Sequence, residues 1–155
     1  VQLREKGFSH EVVELVLQTI SNRPLQAFRM ADVLEKRSGE VWFTELITAA
    51  VRVKNILNKA GSVTGDIDAA KFTEQSEKDL HEKLGILEAD IRSSVGSYDW
   101  ERLASVLAEL APVIAKFFND VMVMDEDISV RNNRLALLKK CQDLFLLVGD
   151  FSLLK

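Results

Sequence analysis

Two stretches of this chain carry bases and no acid. Arg52, Lys54 and Lys59 stand between Thr48 and Val63, and Arg131, Arg134, Lys139 and Lys140 stand between Ser129 and Gln142. Residues 73–90 hold six acids against two lysines, and residues 120–127 hold four acids and no base. Clustered Lys and Arg are what a polyanion requires, and a chain that segregates its bases in this way can present one basic face. A solvated charged face is the competing reading of such runs. The formal net charge of −4 and pI near 5.3 argue against a general nucleic-acid coat and leave room for a local basic face.

Catalytic constellations are scarce. The two histidines, His10 and His81, are far apart in sequence, and neither lies near Cys141, so a Cys/His nucleophilic pair is not supported. Cys141 reads as a small buried hydrophobe on the last helix. Asp125-Glu126-Asp127 is acidic enough to attract a cation but lacks the spacing and glycine of an EF-hand loop. It reads better as a solvated turn whose last carboxylate favours the start of the next helix. In that position Asp127 is expected to cap the helix and pair with Arg131 four residues on. Gly61 to Gly65 lacks the Gly-Lys-Ser/Thr ending of a phosphate loop and follows a helix. Trp42 and Trp100 read as core or staple residues rather than stacking platforms.

The elements that must position these residues are helical. Val13, Val16, Leu17 and Ile20 follow one helix face, with Ser9 as N-cap. Pro24 suits the first turn of a second helix ending near Arg37 and Gly39, and a third spans about Glu40 to Lys59. Leu80, Leu84, Leu87, Ile91 and Val95 mark a fourth, from about Thr73 to Val95. Asp99 is placed to cap a fifth carrying Leu103, Leu107, Leu110, Ile114, Phe117 and Val121, with a kink or restart expected at Pro112. The last helix is expected from about Asp127 to Val148. Only Val121-Met122-Val123-Met124 alternates like a strand, and it is short. The expected class is all-α, one bundle of five to seven helices with short loops between antiparallel neighbours.

The 155 residues fit one domain. No apolar run reaches the roughly 18 residues needed to span a bilayer, so no membrane role is expected. A lone cysteine suits a reducing compartment. Val1-Gln2-Leu3-Arg4-Glu5-Lys6 carries neither a starting Met nor a signal-peptide apolar region, and reads as a cut through a longer polypeptide.

Ordered features over the last third carry a resemblance. Phe117-Phe118-Asn119-Asp120-Val121-Met122-Val123-Met124-Asp125-Glu126-Asp127 is followed by Val130-Arg131-Asn132-Asn133-Arg134-Leu135, and later by Leu144-Phe145-Leu146-Leu147-Val148 and Asp150-Phe151-Ser152-Leu153-Leu154. This order resembles the C-terminal anticodon-binding (DALR-type) domain of the bacterial-type glycyl-tRNA synthetase β subunit. Ala49-Ala50-Val51-Arg52-Val53-Lys54-Asn55-Ile56-Leu57 is similar to a helix of that subunit, with Val51 where the family often carries a second base. Tyr98-Asp99-Trp100-Glu101-Arg102-Leu103 takes the place of the Asp-Ala-Leu-Arg signature, whose literal form is absent. The resemblance weakens over the first forty residues, and residues 1–47 fit helices linking to a preceding domain. Arginyl-tRNA synthetases share the Phe-Phe to Val-Met-Val-Met run; the Asn55-Ile56-Leu57 helix favours the glycyl enzyme.

The resemblance implies a module that holds the anticodon stem-loop of a glycine tRNA within an ATP-dependent ligase. ATP, magnesium and glycine would bind a separate α subunit, with no cofactor or catalytic residue here, and a second β subunit would complete a heterotetramer. The location implied is the cytoplasm, or an organellar stroma in a plant. Candidate tRNA contacts are Arg52, Lys54 and Asn55 on one helix and Arg131, Asn133 and Arg134 on another. Lys54 and Arg131 are read as phosphate contacts, and Asn55 or Asn133 as readers of a base edge. Other readings keep Asn133 and Arg134 as bridges inside the bundle. A module of another class would dock a partner helix on the Leu103 to Val121 stripe, with no nucleic-acid role.

Overall fold

The computed structural model describes residues 7–20 and 22–154. Among these residues there are six α-helices and no strand: α1 (His10–Ile20), α2 (Pro24–Arg37), α3 (Val41–Ala60), α4 (Gln75–Gly96), α5 (Trp100–Asp120) and α6 (Ile128–Leu146). Short 3-10 turns lie at Ala69–Lys71, between α3 and α4, and at Phe151–Leu154, after α6. The all-α bundle expected from the apolar spacing is what forms. Residues 1–6 of the N-terminal reading lie outside the described residues.

The amphipathic stripes explain the packing. α4 buries Leu80, Leu84, Leu87 and Ile91, and α5 buries Leu103, Leu107, Leu110, Ile114 and Phe117, each at alternating three- and four-residue steps. The two helices form an antiparallel hairpin: Ser76 at the start of α4 donates its hydroxyl to Asp120 at the end of α5. Their connection turns at Tyr98, which takes φ 58°, and Asp99 caps α5 by accepting from the Arg102 N–H at 3.1 Å. α5 runs through Pro112 without a restart. Pro112 is on the exposed side, where water can reach a carbonyl deprived of its N–H partner.

α3 lies against α5 and, antiparallel, against α6. Lys54 in its middle reaches Asp150 beyond the end of α6, at 3.1 Å, while its last turn lies beside the first turn of α6. On α1 the buried residues are Val12, Val13, Leu15, Val16 and Ile20, and Leu17, expected on the inward stripe, faces out. α1 seats on the turn that ends α6. Thr19 donates its hydroxyl to the Val148 carbonyl, and a Cβ at Gly149 would collide with Leu15 Cδ1 and stand 3.2 Å from Thr19 Oγ1. α6 stops at Leu146, two residues before the expected end, because Val148 and Gly149 turn back with their N–H groups on the Phe145 carbonyl.

The period of two at residues 121–124 is real. Val121 and Val123 are each 5% exposed, while Met122 and Met124 are 73% and 50% exposed. No partner strand lies beside them among the described residues. The segment is an extended link that plugs two valines into the core between α5 and α6.

Candidate functional site

The six candidate contacts divide into four environments. Arg52 and Asn55 are exposed on α3, one turn apart, and both line a groove of about 630 Å³ with Thr48, Val51, Ile56 and Leu154. The guanidinium carbon of Arg52 stands 4.5 Å from the centroid of the Phe118 ring, across a second groove between α3 and α5. A cation held over an aromatic face keeps its outer N–H groups available to an anion.

Lys54 points to the other side of α3. Its ammonium binds Asp150 at 3.1 Å and the Ser152 hydroxyl at 3.2 Å. Partial burial pulls the Asp150 carboxyl upward, but bonds from Ser152 and Lys54 outweigh it and hold the group below the usual carboxylate range. Lys54 is therefore engaged in joining α3 to the C-terminal turn.

Arg131 lies in the first turn of α6, facing a polar cavity of about 350 Å³ also lined by Lys59, Ser62, Thr64 and Asn132. The Asp127–Arg131 ion pair expected from their spacing is absent. Asp127 spends its carboxylate on the Ser129 and Val130 N–H groups, at 2.9 and 3.2 Å, as a helix cap.

Asn133 and Arg134 face inward. Arg134 is 4% exposed and reaches across to the start of α4. Its Nη2 donates to Glu77 Oε1 at 2.9 Å and to Thr73 Oγ1 at 3.0 Å, and its Nη1 donates to the Met122 carbonyl at 2.6 Å. Asp125 lies 3.5 Å from the same Nη1. Glu77, fully buried, also accepts the Glu74 N–H at 3.2 Å. One guanidinium thus ties α4, the extended link and the acidic turn to α6. Asn133, equally buried, accepts the Asp68 N–H at 2.7 Å and donates to the Asp68 carbonyl at 2.9 Å. With these donors and acceptors committed inside the bundle, neither residue offers a side chain to an external ligand in this conformation.

The structure brings Lys59, Ser62, Thr64 and Asn132 to Arg131, none of them among the expected contacts. Lys59 belongs to the acid-free run, and Asn132 is the neighbour of the expected Asn133. Spacing carried the signal: Arg134, Leu138, Cys141 and Phe145 share the inward stripe of α6, which sends Asn132 outward. Cys141 is fully buried, and burial pushes its thiol well up, away from the reactive thiolate. Trp100 is in the core, as expected, and Trp42 is half-buried beneath Arg37. No group of three or more His, Cys, Asp or Glu side chains suited to a metal occurs among the described residues, and no helix there is long and apolar enough to cross a membrane.

Comparison with known proteins adds two findings. The family model described as "DALR anticodon binding domain" matches residues 46–147. Curated relatives named glycine–tRNA ligase beta subunit are similar along nearly the whole chain. The protein of Shewanella denitrificans is 35% identical over 98% of this chain, and that of Desulforapulum autotrophicum 34% identical over 97%. That of Levilactobacillus brevis is 33% identical over 96%. The chain spans only 22% of the length of the first two relatives and 21% of the third.

Proposed function

The chain belongs to the DALR anticodon-binding domain family, and from that premise we propose that it recognises the anticodon stem-loop of a glycine tRNA. The observation that carries this reading is the family match over residues 46–147, which takes in most of α3 and continues past the end of α6. The names of the similar relatives favour glycine over arginine as the cognate amino acid. The accessible residues of the expected set support a binding role: Arg52 and Asn55, exposed along α3, and Arg131, half-buried at the start of α6. Lys and Arg meet the phosphates, and Asn edges and stacked cations meet unpaired bases.

In the whole enzyme this module positions the distant acceptor end of the tRNA for ATP-dependent glycyl transfer. ATP and magnesium belong to a separate catalytic α subunit, and a second β subunit completes the assembly, in the cytoplasm or in an organellar stroma of a plant. Titration of the chain with a glycine tRNA, and with the same tRNA carrying one changed anticodon base, tests the reading. Salt-sensitive binding that weakens with the changed base is expected. Equal binding of both RNAs, or none, rejects it.

A further inference from the structure

Resting on that anticodon-loop reading, we propose that the polar cavity where α3, the 61–64 turn and α6 meet holds one unstacked nucleotide. Lys59 and Arg131 take its phosphate, and Asn132 reads its base edge. The cavity of about 350 Å³ lies at the lower end of the roughly 300–1,000 Å³ typical of small-ligand sites, a size for one nucleotide rather than a stacked pair.

Three observations converge. First, the polar side chains of the cavity (Lys59, Ser62, Thr64, Arg131 and Asn132) have no hydrogen-bond or ion-pair partner among the described residues. Other bases of the same two helices do have partners: Lys54 holds Asp150, Lys139 holds Asp143, and Lys140 holds Glu88. Second, no carboxylate lines the cavity, and two acids of the turn before α6 are committed elsewhere. Asp127 caps α6, and Asp125 turns towards Arg134. Packing of α3 on α6 therefore brings two like charges to one cavity that no carboxylate lines, an arrangement that an anion relieves. Third, Met124 and Leu135 also line the cavity, giving a polarisable, apolar surface for the face of a base. A tRNA loop supplies both parts at once, a phosphate and a base free of its stack.

The test titrates the full chain with a glycine tRNA and with an RNA duplex that has no loop. Each is repeated for Lys59→Ala/Arg131→Ala and for Asn132→Ala. These side chains hold no other part of the fold, and circular dichroism checks that both variants stay helical. The double variant should bind the tRNA at least tenfold more weakly. Its salt slope should flatten by about 0.7, the contribution of the one single-strand phosphate that the two bases share. Asn132→Ala should weaken the tRNA and leave the duplex unchanged, and millimolar inorganic phosphate should not displace the tRNA. If the double variant keeps wild-type affinity and slope while the wild type still discriminates anticodons, the cavity assignment is wrong and the anticodon reading stands. Equal losses on the duplex, or displacement by inorganic phosphate, make the cavity a general anion patch and overturn it as a nucleotide site. A wild-type chain that binds neither RNA overturns both readings.

Discussion

Glu77 and Arg134 are charged residues in apolar stripes, and each enters the bundle because its helix carries it there. Having entered, they need one another: a buried charge without its partner is costly. Glu77→Ala or Arg134→Ala should each lower stability by about 3–5 kcal/mol in urea unfolding. Replacing both with apolar residues of similar volume should cost far less than the sum of the single changes. Near-neutral single variants would show that the pair is not held as described. Asp127→Ala should cost about 1 kcal/mol, the usual loss for a cap, and an unchanged melting temperature would reject the capping role. At this scale the sequence was legible where spacing decides and misleading where residue type was trusted alone. Arg134 has the chemistry of a phosphate contact and the position of a core residue, and position prevailed. Asn132 and Asn133 are identical in type, and their neighbours on the helix wheel separate them.

Helix existence followed from apolar period and caps, and the observed starts of α2, α3 and α5 lie within a residue of the expected ones. The ends of α2, α3 and α4 lie within a residue of the expected ones as well, and α6, two residues short of Val148, departs further. Just beyond that end α1 packs on Gly149, a contact that nothing local in the sequence announces, because it comes from a helix more than a hundred residues away. Gly149→Ala should therefore act between elements. Leu15, fully buried, has no room to yield, so the added methyl should cost about 1–3 kcal/mol, the usual range for overpacking. Amide exchange should quicken in α1 before it does in α4 or α5. Uniform exchange across all helices would show that α1 is not docked through this contact.

For the molecule as a whole, several surface pairs set the response to pH. Arg37 holds the Glu40 carboxyl, Lys140 that of Glu88 and Lys116 that of Asp120 below the usual range. Such carboxylates stabilise the fold above their ordinary pKa of roughly 4, and the contribution is lost as pH falls through the depressed values. Asp32 and Asp120 raise Lys36 and Lys116, whose contribution holds below roughly 10.4 and is lost as pH rises through the raised values. These groups lie at the surface, with Glu88 half-buried, so each step is small. The melting temperature should stay nearly flat from about pH 5 to 9 and decline on both sides; a steady slope across that interval would contradict the pairing.

The long passage from α3 to α4 has one further consequence, in the chain's resistance to cutting. Asn133 grips both the N–H and the carbonyl of Asp68, imitating with one carboxamide the paired bonds of a neighbouring strand. Lys71, exposed in the adjoining turn, is a site for trypsin once the passage lifts off. In Asn133→Ala that lifting should become frequent while the helices stay assembled, so trypsin should nick the chain after Lys71. The nicked halves, α1–α3 and α4–α6, should still co-elute under native conditions and separate only in denaturant, leaving a two-piece molecule with an intact core.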